Sequence, residues 1–310
     1  MATVATPFTY SGFQGADLRL SFMIEAEIRK QLADMGSIRS VIGFAGDLSG
    51  TGSDTLKMRL TNAGAKTPFA SAVDGADVAA STLDATTASI SLGRSALRYD
   101  ISDLAVMTGI GADIDPFSLG AAMAESAEAR IMEVICATFP NATTSSGSTG
   151  VDMDVDDFLN AIYSLELADN NGPFNACLHP RQLADLQAAL RTENNNFLAF
   201  MAATADISAA KGQGYAGDLL GVSIYKSSHV PLVNASADRC GLMWGSGGLA
   251  YAVGTPRAMV SGTELRPAGT PVVISFQRDE SKGLTEIVGH LYCGASIVES
   301  SRVVKIVTDA

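Results

Sequence analysis

Histidine, cysteine, tryptophan and positive charge are all scarce in this chain. Its 310 residues include three histidines, four cysteines and one tryptophan, with 21 lysines and arginines against 33 acids. Each shortage excludes something. His179, His229 and His290 lie in separate segments, beside Pro180, Val230 and Leu291. Catalytic or metal use would need partners converging from elsewhere in the fold, and a hydrogen-bonded imidazole at a strand end is the plainer reading. Cys136, Cys177, Cys240 and Cys293 form no CxxC pair and sit in apolar contexts. They read as buried thiols of a protein made in a reducing cytosol rather than as bridges. The net charge of −12, without a basic helix or an aromatic–basic stripe, argues against sequence-specific nucleic-acid binding. Acidic walls could still enclose DNA without gripping it, because they repel phosphate. No apolar run reaches the length of a membrane span, and Met1–Gly15 has neither the basic nor the apolar region of a signal peptide. Asn141 and Asn234 match the glycosylation pattern, a chance match without secretion.

The motifs that promise chemistry fail in context. Gly212–Gly217 spells GxGxxG, but a Ser/Ala/Lys loop precedes it and a strand-like segment follows, the reverse of a dinucleotide-binding turn. Asp152, Asp154 and Asp156 begin like a calcium loop. However, Asp157 stands where glycine is required and Tyr163 where the closing glutamate should be. Gly245–Gly248 lacks the Lys-Ser/Thr of a P-loop and the spacing of a nucleophile elbow. No catalytic residue, metal site or cofactor is expected.

What is present is an unusual arm. Leu56, Met58 and Leu60 alternate with Lys57 and Arg59. Ile90 and Leu92, then Leu97, Tyr99 and Ile101, alternate likewise. Between them, Thr61–Thr87 is almost all Ala, Thr, Ser, Gly and Asp. A structureless loop of that length is uncommon inside a compact domain. A disordered surface loop fits the composition, whereas the matched alternation on both sides favours an extended hairpin over 55–102. A lone two-stranded hairpin is marginal in water, so this one is expected to dock on another subunit. The segment holds five basic and four acidic side chains, a balance suited to a like neighbour rather than a polyanion.

A long helix is predicted next, over Asp115–Phe139. Asp115 is its N-cap, Pro116 its first residue, and Leu119, Met123, Ala127, Ile131 and Ile135 form a stripe with Val134 beside it. Glu125, Glu128 and Glu133 are expected to face away from that stripe. Elsewhere Leu18–Asp34 reads as a short helix. Val151–Asp169 reads as a helix with Val155, Phe158, Leu159, Ile162 and Leu165 on its buried side and acids crowding its first turn. Pro180 opens another, with Leu183, Leu186 and Leu190 on one side. Strands are predicted at Asn175–Leu178, Leu219–Tyr225, Cys240–Trp244, Val272–Arg278, Leu284–Tyr292 and Val303–Val307, with a mobile loop at Ser208–Gly217. Helices and strands without regular βα alternation give an α+β class.

In this order the parts resemble the major capsid proteins of tailed bacteriophages with the HK97-type fold. Segments that carry the resemblance include Cys177-Leu-His-Pro-Arg-Gln-Leu-Ala-Asp-Leu186, Leu220-Gly-Val-Ser-Ile-Tyr225, Ser275-Phe-Gln-Arg-Asp-Glu280 and Tyr292-Cys-Gly-Ala-Ser-Ile-Val298. The resemblance implies an N-terminal arm over 1–52, an extended loop over 53–102, and a peripheral domain with its spine helix over 103–150. An axial domain over 151–262 and closing peripheral strands over 263–310 complete it. It further implies a structural, non-enzymatic protein that self-assembles as pentamers and hexamers into an icosahedral head. That head would enclose double-stranded DNA, within a virion built in the bacterial host cytoplasm. A separate scaffolding protein, a portal and decoration proteins are the implied partners. A short arm after Met1 implies no maturation cut. Inter-subunit contacts fall to Lys57, Arg59, Lys66, Arg94 and Arg98. Some relatives cross-link Lys to Asn, and Lys57 and Lys66 lie in the right loop, but nothing places an activating Glu and an Asn beside them. Two other functions stay open: an encapsulin-like shell around a cargo enzyme, and an α+β enzyme or small-molecule binding protein.

Overall fold

The computed structural model describes residues 26–28, 30, 38–49, 51, 53–61, 71, 74, 77, 85–104, 116–170, 172–192, 200–202, 211, 214–254, 264–265 and 272–310. Among the described residues, sixteen strands run in chain order. They are β1 (Gly43–Asp47), β2 (Thr55–Thr61), β3 (Ala85–Ser91), β4 (Gly93–Ser102), β5 (Thr144–Ser146), β6 (Phe174–Leu178), β7 (Phe200–Ala202) and β8 (Tyr215–Leu219). Then follow β9 (Val222–Lys226), β10 (Leu232–Val233), β11 (Asp238–Trp244), β12 (Leu249–Val253), β13 (Glu264–Leu265), β14 (Val272–Asp279), β15 (Leu284–Ile297) and β16 (Val303–Asp309). Three helices carry most of the helical residues: α1 (Pro116–Cys136), α2 (Val155–Leu167) and α3 (Pro180–Thr192).

The strands form three sheets. A six-stranded sheet runs β1-β12-β15-β14-β13, with β4 also on β15. An eight-stranded sheet runs β5-β16-β11-β6-β9-β8-β7, with β10 on β11. The third sheet is the hairpin β2–β3. β15 organises the first sheet. Leu284–Cys293 pairs with β4, Leu284–Leu291 with β14, and Cys293–Ile297 with β12.

Helix α1 behaves as its pattern requires. Met123, Ala127, Ile131 and Ile135 are buried, with Leu119 and Val134 packed at the edge of the same core. Asp115 lies outside the described residues. Glu128 does not face away. It is buried, with Arg39 3.5 Å from its carboxylate, because the segment around Ile38 covers that side of the helix. After Cys136 the chain makes a short turn of 3-10 helix at Phe139–Asn141 and then β5, a strand hidden in a polar Thr-Ser-Ser sequence.

Helix α2 starts on a capping box. The Asp154 side chain accepts from the Asp157 amide at 2.7 Å, and Asp157 reaches back to the Asp154 amide. The acids that mimic a calcium loop are therefore a helix start. Phe158, Ala161 and Leu165 are its buried face. Leu159, predicted to be buried, is exposed, because the small Ala161 takes the place on the sheet. In α3, Leu183, Leu186 and Leu190 are buried as expected, and so is Gln182.

The strand predicted over Leu219–Tyr225 is two strands. β8 and β9 pair antiparallel around Leu220 and Gly221, both with positive φ (51° and 80°), the geometry of a tight hairpin turn. Only Gly221 signals that turn. Leu220 disguises it as strand. Tyr215–Gly217, predicted within a mobile loop, begins β8, and the remainder of 208–214 is described only at Lys211 and Gly214. In the first helix predicted, 26–28 and 30 are helical and Ile28 is buried. Ile24 and Leu32 lie outside the described residues.

One core joins the two large sheets. It includes Met123, Ile131, Ile135 and Phe139 from α1 and its end, Leu291 and Cys293 from β15, Tyr225 from β9, and Leu242 and Trp244 from β11. A second core, beneath α2 and α3, includes Phe158, Leu186, Val222 and Ile306.

Candidate assembly surface

The hairpin projects from a small anchor. Thr55 pairs with Ser91 and the ladder runs to Thr61 opposite Ala85. Leu56, Met58 and Ile90 share one face and meet Ala45, Ala250, Ala252, Leu92 and Val298. Ile90 is fully buried there. The approach is close: a β-carbon at Gly294 of β15 would collide with the Ser91 carbonyl oxygen. Glycine is therefore what lets β3 cross over β15.

The opposite face is exposed and polar. Lys57 stands across from Ser89, and Arg59 from Thr87, so neither faces a carboxylate across the ladder. Lys66 and nearly all of the tip lie outside the described residues.

The second predicted arm behaves differently. Gly93–Ser102 is β4, hydrogen-bonded to β15 over ten residues, so it belongs to the large sheet rather than to the projection. Its arginines have partners in the same subunit. Arg98 binds Asp100 through two nitrogens at 2.5 and 2.7 Å and Glu286 at 2.8 Å. The hydrogen bond from Arg98 holds the Asp100 carboxyl below its ordinary range. Arg94 lies 3.2 Å from Nδ1 of His290. At the strand end, Arg278 forks onto Asp103 with two contacts of 2.6 Å. Arg94 and Arg98 on β4 thus each contact a side chain of the neighbouring strand, while Lys57 and Arg59 are exposed on the hairpin.

The histidines stay apart. His179 Nδ1 accepts from the Arg181 amide, and burial lowers its pKa. His229 stands in a turn where its amide donates to Ser227. His290 sits beside Arg94. Among the described residues, no group of three His, Cys, Asp or Glu side chains could hold a metal. The four cysteines are buried thiols, with burial pushing Cys240 and Cys293 up to about 11. Gly214 is a turn residue entering β8, and Gly245–Gly248 turns between β11 and β12, where the Gly248 amide donates to the Gly245 carbonyl. Among the described residues, two clefts of about 310 Å³ are found. One lies between α1 and the sheet, beside Leu97, Met123, Arg130 and His290, and the other between the hairpin and the end of β15. Neither brings together a nucleophile, a base and an orienting acid.

No family model matches the chain, and no curated protein does. Solved structures do. The capsid of cyanophage P-SCSP1u aligns with a TM-score of 0.57 at 11% identity, covering 86% of each chain. The holo-SrpI encapsulin complex from Synechococcus elongatus aligns at 0.60 and 12% identity, covering 87% of this chain and 86% of that one. The head of Helicobacter pylori bacteriophage KHP40 aligns at 0.57 and 10% identity, covering 89% and 91%. The chain has the HK97-type capsid fold.

An HK97-type fold explains why no residue motif carried the resemblance. At 10–12% identity, what these chains share is the order and packing of elements. Two surface features escaped the sequence reading: the assignment of β4 to the sheet, and the exposure of Leu159. The first had no sequence signal, since β15 itself is predicted only over Leu284–Tyr292 and extends to Ile297.

Proposed function

We propose that this protein is the major shell subunit of a tailed-phage head, assembling as pentamers and hexamers around double-stranded DNA. The observation that carries the reading is the HK97-type fold extending over 86–89% of the chain and a like share of phage capsid subunits. The hairpin supports it. A two-stranded hairpin held among its described residues by the small cluster around Ile90, with Lys57 and Arg59 exposed, gains stability by lying on the next copy. Lys57 and Arg59, lacking acids across the ladder, suit carboxylates of that neighbour, each exposed pair contributing little alone. A net charge of −12 suits a wall that contains DNA without binding it. Scaffold, portal and decoration proteins complete this reading as partners.

An encapsulin-like shell is the second reading, favoured by the likeness to the SrpI encapsulin. Electron microscopy of the chain produced with its candidate scaffold tests both. Closed particles that protect double-stranded DNA in the producing cell support the phage head. Closed particles whose content is a co-purifying enzyme replace it with the compartment. A subunit that stays monomeric with scaffold supplied overturns both.

A further inference from the structure

Helix α2 carries an apolar ridge on its solvent side. Leu159, Tyr163 and Leu167 recur every four residues and are 43%, 62% and 70% exposed. Core packing explains nothing about them, since the opposite face, Phe158, Ala161 and Leu165, already seals the sheet. Asp156 and Glu166 are exposed on the same arc of the helix. Helix α3 presents the counterpart. Its exposed arc holds Ala184 and Ala188 between Arg181 and Arg191. The spacings agree: Asp156 to Glu166 and Arg181 to Arg191 are each ten residues, or about 15 Å along a helix. One face is bulky and acid-flanked, and the other is small and arginine-flanked.

We propose that α2 of one subunit packs against α3 of the next copy, with the Leu159–Tyr163–Leu167 ridge in the Ala184–Ala188 trough. This rests on the shell-subunit reading above and gives that reading a specific ring contact. The occupant is a second copy because both halves of the match are on this chain. Like faces exclude each other. Two α2 faces would bring four acids together, and two α3 faces four arginines. The contact is therefore heterologous, and a heterologous contact whose rotation closes makes a ring. Arg181 already holds Asp185 at 3.2 Å and lies 3.8 Å from Asp152 in the free subunit, which fixes its position on the face while leaving half of its side chain exposed. Alanines let the helix axes approach, so that Tyr163, an amphipathic side chain of the kind enriched at interface centres, fills the seam.

The test uses the full chain with its scaffold. Tyr163→Glu, the pair Asp156→Lys with Glu166→Lys, and the pair Arg181→Glu with Arg191→Glu are each expected to lower shell yield at least about tenfold. Circular dichroism should remain that of the wild type. All four charge reversals combined are expected to restore the yield. A second measurement does not depend on the reversed chains folding. Tyr163→Cys and Ala188→Cys placed together, then treated with a bismaleimide, should give a covalent ladder of subunits in assembled particles, and either change alone should not. The four native cysteines are buried and stay silent. Wild-type shells without the ladder, or a Tyr163→Glu chain that assembles normally, would overturn the helix contact and leave the shell reading standing. A wild-type chain that never assembles would remove the shell reading, and the contact with it.

Discussion

Gln182 is the residue whose role contrasts most with its appearance. It stands on the leucine-lined face of α3, fully buried, and ties the helix to both neighbouring elements. Its carbonyl accepts from the His179 amide at 3.0 Å, and its nitrogen donates to Thr308 Oγ1 at 2.8 Å and toward the carbonyls of Arg239 and Ile306. Gln182→Leu keeps the volume and strands these groups. It should destabilise the protein by about 2–3 kcal/mol in chemical denaturation, the penalty for buried unpaired polar groups. Asp218 gives a pH signature. Burial pushes its carboxyl up, but hydrogen bonds from Tyr215, Ser223 and Lys211, together with the Lys211 charge, outweigh that and hold it below its ordinary value. A depressed carboxyl contributes stability above its unfolded pKa and loses it as pH falls through the folded one. The Tm of wild type should therefore drop faster below about pH 4 than that of Asp218→Asn. Exposure of a third of each side chain keeps the effect small.

At the scale of elements, the hairpin is held by its base. Ile90→Ala removes the central anchor and should cost about 2–4 kcal/mol, with faster proteolysis at 62–84 as the local readout. Since Ala85–Ala88 pairs within the ladder, replacing 62–84 by an Asn-Gly turn preserves every described ladder pair. Such a chain should be soluble and helical by circular dichroism, yet form no stable shells. Shells of unchanged stability would show that the tip is no clamp.

For the whole molecule, the joined core sets the unfolding behaviour. Residues of α1 pack against β15 of one sheet and accompany Tyr225 and Trp244 of the other within one cluster. Neither sheet buries its inner face without the other, so calorimetry of the unassembled subunit should show one cooperative transition rather than two.

Elements with a strong period were legible from sequence. The α1 stripe, the helix α2, the leucines of α3 and the strands β6, β11, β14 and β16 all follow from local patterns, because burial of one face imposes a period of 3.6 or 2. What tertiary structure decided was partnership. The alternation in Gly93–Ser102 is the same whether that strand pairs in an arm or with β15, and only the ladder chooses. Glu128 is hidden by a distant segment, and Leu220 is strand-like until the chain turns back on itself. Leu159, Tyr163 and Leu167 look like core in a helical pattern. Their exposure depends on which arc of α2 meets the sheet, a choice made by Phe158 and Ala161 together with the strands beneath them.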